Sequence, residues 1–269
     1  MKRNKIFTLL VLASLALVYT SCEKDETPDA PQLPPQEAFS MDFSDFNDEN
    51  YATEKKSMMS YTNYAHAFLT VAGWNTVATL YIAVPAISYA AVLNTEPVYL
   101  GDNKWEWTTS VETEMADYTA RLTGERISNE EYKAEMYITK ESAMGFEDFK
   151  WFEGTVRYDR THASWTLYES PANPVELLNI EWNKDWEKEV SDITYTNVKE
   201  SGTELGSYIM FEIVDETPYN ARYTVSHTQN TVLIEWSRET KAGRIKDPGK
   251  FGDDAWYCWD ETFQDAVCE

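Results

Sequence analysis

The chain has 269 residues, 14% of them aromatic, and a formal net charge of −23 at pH 7. Proteins that bind DNA or RNA need a basic face that displaces counterions, so this charge argues against a nucleic-acid partner. An anionic membrane surface would also repel so acidic a body.

The first residues have the layout of a secretory signal peptide. A basic start over residues 2–5 is followed by an apolar run over residues 6–18, and Tyr19-Thr20-Ser21 precedes Cys22. This arrangement resembles the lipobox of bacterial lipoproteins, and Glu-Lys-Asp-Glu at 23–26 resembles the export tag of Bacteroidetes-type surface lipoproteins. The resemblance implies removal of residues 1–21, lipidation of Cys22 and attachment to the outer membrane, with the body at the cell surface. The alternative is an ordinary secreted protein with a free thiol.

Residues 22–40 contain four prolines and five acidic residues. Proline favours extended, semi-rigid chain, so this segment is predicted to be a tether that holds the body away from the membrane. The remaining residues, 41–269, are long enough for a single β-rich domain.

Residues 57–95 contain no Asp, Glu, Lys or Arg. Their apolar spacing of i, i+3, i+4 and i+7 predicts a helical segment over about 50–93. Gly73 and Asn75 predict a break between helices near 50–72 and 76–93, and Pro85 is expected to kink or shorten the second helix. Three interpretations compete: a helix buried by the domain, a lid over a β cup, and a membrane span. Polar residues within the run argue against the span.

From about Val98 onward, apolar and polar residues alternate in roughly eleven short segments separated by turn signals. This pattern predicts a mainly β domain built as an antiparallel meander. A sheet with so many strands must curl or close. The fold expected is therefore a curved sheet, half-barrel or barrel packed against the N-terminal helical segment.

Two cysteines remain after Cys22, at positions 258 and 268. An even pair in an exported protein predicts one disulfide, Cys258–Cys268, with two reduced thiols as the alternative. Such a bond would close a short loop and stabilise the C-terminal end of the chain.

Candidate catalytic and metal-binding residues are scattered. His66, His162 and His227 lack the spacing of a zinc site, and His66 is expected to be a satisfied core residue. Four carboxylates on predicted strands could serve a glycosidase-like enzyme, although solvated strand positions are the simpler interpretation: Glu153, Glu181, Glu212 and Glu235. Calcium at Asp247, Asp253 and Asp254 is a further hypothesis, against that of a plain polar loop.

The aromatic residues point to ligand binding. Five tryptophans on or beside strands are candidates for stacking on sugars: Trp105, Trp107, Trp151, Trp182 and Trp256. The first functional hypothesis is therefore a non-catalytic surface module that binds a polysaccharide. The alternative is a carrier or sensor of apolar molecules, which predicts an apolar cavity beside the uncharged segment. An enzyme is the third hypothesis.

Overall fold

Fourteen antiparallel strands form one sheet in the computed structural model, which describes residues 28–46, 62–114 and 116–268. The strands are β1 (Val98–Gly101), β2 (Lys104–Glu112), β3 (Asp117–Arg126), β4 (Glu131–Lys140), β5 (Phe146–Arg157), β6 (His162–Ser170), β7 (Asn173–Asp185), β8 (Val190–Asn197), β9 (Tyr208–Ile213), β10 (Ala221–His227), β11 (Asn230–Trp236), β12 (Gly243–Lys246), β13 (Tyr257–Trp259) and β14 (Asp265–Ala266). Each strand pairs with the next, and β1 and β14 do not pair, so over these ranges the meander is an open sheet. The predicted mainly β meander is confirmed.

Three α-helices accompany the sheet in the described ranges: α1 (Asn63–Tyr81), α2 (Ala83–Val92) and the single turn α3 (Pro248–Phe251). The Oγ1 of Thr62 caps α1 by accepting a hydrogen bond from the N–H of Ala65 at 3.1 Å. α1 packs against β10, β12 and β13, whereas α2 packs against β2, β3 and β4. The two helices therefore cover opposite ends of one face of the sheet, here called the covered face.

The predicted helix break at Gly73 and Asn75 is wrong. α1 continues through both residues, and the chain bends by 65° at Ile82 instead. Gly73 is exposed, so its only penalty in a helix is its low propensity, about 1 kcal/mol. Pro85 lies in the first turn of α2, where no N–H bond is lost. Within the described residues, only α1 and α2 taken together across this bend have the length and hydropathy of a membrane span.

Residues 31–46, here called the strap, cross the covered face from strand to strand. Aromatic side chains of alternate strands donate hydrogen bonds to its carbonyl oxygens in strand order: Tyr132 of β4 to Gln32, Trp165 of β6 to Ala38, Tyr195 of β8 to Phe39 and Tyr223 of β10 to Asp42. Alternate strands lie about 9.6 Å apart, so these donors follow the strap across the sheet. The strap is thereby held by its backbone as well as by its side chains.

The prediction that residues 22–40 form a tether is wrong for residues 31–40. Ala38 and Phe39 have no exposed surface, and the ring of Phe39 lies 4.4 Å from that of Phe152, measured between centroids. Pro31 and Pro34 are buried as well. Proline favours extended backbone, which here presents carbonyl groups to the aromatic donors of the sheet. The packed domain therefore includes residues 31–40, while residues 1–27, which contain the predicted signal peptide, lie outside the described residues.

Candidate ligand-binding cleft

Four of the five candidate tryptophans lie in the core. Their exposed fractions are 4% for Trp105, 3% for Trp107, 8% for Trp151 and 1% for Trp182. None of these four is available to stack on a sugar, so the prediction that they bind a ligand is wrong. The indole rings instead fill the interior that the sheet, helices and strap enclose, because alternation alone does not show which face of a strand is covered.

Trp256 is partly exposed, but a cation already covers its ring. The guanidinium carbon of Arg244 lies 4.2 Å from the ring centroid, and the Nζ of Lys246 lies 5.1 Å from it. Trp186, which was not among the candidates, is 45% exposed. It contacts Arg160 and Lys184 in the same way. These two rings pack against cations of the protein itself, and Trp186 also meets the buried ring of Trp182 edge-on, with centroids 6.5 Å apart.

Glu153 and Glu181 have separate partners, whereas Glu212 and Glu235 lie on either side of Arg222. Glu153 accepts hydrogen bonds from Lys150 at 2.6 Å and Tyr168 at 2.6 Å and pairs with Lys133 at 2.9 Å. Burial alone would raise the pKa of Glu153, but these three donors outweigh it and lower the pKa to about 2. Glu181 accepts a hydrogen bond from Ser164, and Glu235 forms an ion pair with Arg244. Burial raises the pKa of Glu212. These contacts do not form the paired acid and base that a glycosidase places on opposite sides of a sugar-binding cleft.

The three aspartates proposed to bind calcium also face different partners. Asp247 binds His66 and Asn230, Asp253 accepts from the Tyr257 hydroxyl, and Asp254 pairs with Lys246. No group of three or more His, Cys, Asp or Glu in the described ranges is arranged to hold a metal ion. The calcium hypothesis fails because the carboxylates do not converge.

A disulfide joins Cys258 and Cys268, whose Cα atoms are 5.3 Å apart. It links β13 to the residues that follow β14. Cys22, the candidate lipidation site, lies outside the described residues.

A cleft of about 650 Å³ lies between α1 and the ends of strands β7 to β11. Its apolar wall consists of side chains from α1 on one side and from the sheet on the other: Leu69, Trp74, Val77 and Tyr81 face Leu177, Leu178 and Val232. Gly73 also lines the cleft, and there is open space within 4 Å of the position that a Cβ atom would occupy. The middle of the covered face is filled by the strap and aromatic rings, so this space lies to one side of the packed core.

One end of the cleft is polar and is organised around Asp247. The Nε2 of His66 lies 2.6 Å from its Oδ2, and the Nδ2 of Asn230 donates to its Oδ1 at 2.7 Å. Burial alone would raise the pKa of Asp247, but these two hydrogen bonds and one from the backbone N–H of Lys250 lower it. Asp247 is therefore ionised at neutral pH, with only 6% of its side chain exposed.

The rim of the cleft carries two further polar contacts. The Nδ1 of His227 lies 3.4 Å from the Oε2 of Glu204, and the Nζ of Lys199 lies 2.8 Å from the Oε2 of Glu169. Two of the three histidines, His66 and His227, which are scattered in the sequence, thus line the same cleft. Sequence reasoning identified the uncharged segment but missed Asp247 as the partner of His66, because the two residues are 181 positions apart.

Comparison of the chain with family models, curated proteins and solved structures gives no match. The arguments for function therefore come from the cleft itself. Its volume lies within the range of small-molecule sites, and most of its lining surface is apolar, with polar groups at one end and along the rim.

Proposed function

We propose that this protein is a non-catalytic carrier or sensor that binds a small apolar-bodied molecule in the cleft between α1 and strands β7 to β11. The observation that carries the proposal is the apolar wall, with Trp74 and Val77 of α1 facing Leu178 and Val232 of the sheet. Burial of apolar ligand surface against such a wall provides about 25 cal/mol per Å².

The outer surface of α1 supports the same proposal. A helix at a protein surface normally presents charged residues to water. α1 and α2 have none, and Leu69 and Leu80 are 59% and 71% exposed. Because Leu69 also lines the cleft, the apolar wall continues onto the outer surface of the helix. An apolar molecule approaching from solvent would meet an uncharged entrance.

The cellular location of the protein is part of the proposal. The lipobox-like residues before Cys22 and the acidic tag after it support export, lipidation and attachment to the outer membrane at the cell surface. With a net charge of −23, the body gains little from an anionic bilayer, so the acyl chains would provide the attachment. A polysaccharide ligand has weaker support, because four of the tryptophans that suggested it are buried.

Titration with N-phenyl-1-naphthylamine, a neutral apolar dye whose fluorescence rises on burial, tests the cleft. Gly73→Phe and Thr70→Phe place a ring at two positions that line it. Thr79→Phe is the matched control, since Thr79 is exposed on the same helix and outside the cleft.

We expect saturable binding by the unmodified chain and by Thr79→Phe. The two cleft variants should bind at least about tenfold more weakly, because the added ring occupies the ligand's volume. Equal affinity in all four proteins, or no saturable binding by the unmodified chain, would refute the proposal.

A further inference from the structure

The polar end of the cleft is rich in hydrogen-bond acceptors. An ionised carboxylate has no proton to donate, so the Nε2 of His66 must donate to Asp247. The other ring nitrogen, Nδ1, accepts a hydrogen bond whenever the imidazole is neutral. Phe251 contacts the same imidazole edge-on, with ring centroids 5.8 Å apart, which fixes the orientation of the ring.

Several donors at this end are engaged within the protein. The Nδ2 of Asn230 donates to Asp247, and the Oγ of Ser207 donates to the backbone carbonyl of Glu204 at 2.7 Å. The ammonium of Lys199 pairs with Glu169. A ligand carboxylate would lie beside the negative charges of Asp247 and Glu204, whereas a ligand N–H or O–H would meet acceptors.

The charges lining the cleft favour the same kind of ligand. Asp247 and Glu204 are acidic, and Lys199 is the single Lys or Arg among the described lining residues. Because Glu169 balances Lys199, the lining as a whole is negative. The net charge of −23 adds a long-range field that attracts cations and repels anions.

We infer that the ligand has an apolar body and a polar end that donates hydrogen bonds. The cleft prefers a primary amine to an alcohol at that end, and it rejects a carboxylate of equal length. The inference rests on the proposed function, since it concerns the polar end of the same cleft. It names the class of ligand: cationic or neutral amphiphiles, with fatty acids disfavoured. The fixed orientation of His66 and Asp247 means that little side-chain ordering is required when such a ligand binds.

Displacement of the bound dye by dodecylamine, dodecanol and dodecanoate, each below its aggregation concentration, tests this inference. The amine should displace the dye at a concentration about tenfold lower than dodecanoate does, with the alcohol between them. Displacement by dodecanoate at an equal or lower concentration would overturn the inference and leave the cleft as a binding site. Failure of the dye itself to bind would instead refute the proposed function.

Charge-neutral variants locate the source of the selectivity. Asp247→Asn preserves the shape of the side chain, and we expect it to reduce the amine-to-carboxylate ratio to about threefold or less. Glu204→Gln lies at the exposed rim and should reduce the ratio by about twofold, so it tests the inference even if Asp247→Asn does not fold.

Glu187→Gln is the control for bulk charge. Glu187 is exposed in the β7–β8 hairpin, outside the cleft, and its neutralisation changes the net charge by the same amount. We expect an unchanged ratio. An equal reduction in Glu187→Gln, or no reduction in either cleft variant, would contradict a selective role for the polar end of the cleft.

Discussion

The imidazole of His66 lies 2.6 Å from the carboxylate of Asp247, measured from Nε2 to Oδ2. This contact joins α1 to the residue that caps α3, since the Oδ1 of Asp247 also accepts from the N–H of Lys250. It therefore fixes the position of α1 against the sheet at the polar end of the cleft. The contact has a structural consequence that is independent of any ligand.

Replacing His66 by Ala should lower the free energy of unfolding by about 1–3 kcal/mol, because Asp247 is buried and would lose a hydrogen-bond donor. Urea unfolding measures the change. His162→Ala is the control, since its ring contacts Asn183 and Glu181 at a more exposed position and should cost no more than about 0.5 kcal/mol. Equal costs for the two variants would show that the His66–Asp247 contact does not stabilise the fold.

The hydroxyl of Tyr195 holds the strap at two points. It donates to the carbonyl oxygen of Phe39 at 3.0 Å and accepts from the N–H of Met41 at 2.6 Å. Tyr195→Phe should lower the free energy of unfolding by about 1–3 kcal/mol, because buried backbone groups lose their partner. Tyr208→Phe on the neighbouring strand removes a half-buried hydroxyl that does not contact the strap, and it should be nearly neutral. If Tyr195→Phe proves as neutral as Tyr208→Phe, the contacts with the strap do not stabilise the fold.

Two glycines should respond to Ala in opposite directions. At Gly154, a Cβ atom would collide with the Ser164 carbonyl oxygen and lie 2.7 Å from Cε3 of Trp165. Gly154→Ala should therefore destabilise the chain by about 1–3 kcal/mol. Gly73→Ala, with open space around its Cβ position, should stabilise it by about 1 kcal/mol through helix propensity. Thermal unfolding checks both signs, and a destabilised Gly73→Ala would mean that α1 requires flexibility at this position.

The stabilising effect of Glu153 should disappear in acid. Its pKa is lowered to about 2 from the ordinary value of 4.5, so the folded state favours the ionised form. The stabilisation is present above pH 4.5 and is lost as the pH falls towards 2. Urea unfolding of the unmodified chain and of Glu153→Gln should give a difference that shrinks across this interval. A difference independent of pH would show that the contacts with Lys133 and Lys150 do not favour the charged form.

The sequence predicted the sheet well because alternation is a local property. Residues of β3 and β4 alternate between the covered face and the solvent face, so the alternation of apolar and polar residues in the sequence predicts both strands. Three strands, β1, β12 and β14, were not among the eleven predicted. They have four, four and two residues, although β13, with three, was predicted. The helical segment was predicted from its spacing, but the bend lies at Ile82, three residues before Pro85, and not at Gly73.

The strap and the cleft were beyond sequence reasoning for a different reason. The proline content of residues 31–40 indicates extended backbone, but it does not show that Trp165 and Tyr195 will donate to that backbone from more than a hundred residues away. The same holds for His66 and Asp247, whose proximity arises from tertiary packing. Alternation also does not distinguish a tryptophan that faces the strap from one that faces solvent, and this explains the failure of the stacking candidates.

The most direct test of the binding cleft is native mass spectrometry of the chain with N-phenyl-1-naphthylamine. We predict a one-to-one adduct for the unmodified chain and for Thr79→Phe, and loss of that adduct in Gly73→Phe and Thr70→Phe. Such a result would place the ligand beside α1. An adduct of equal abundance in all four proteins, or none in the unmodified chain, would contradict a ligand-binding role for the cleft.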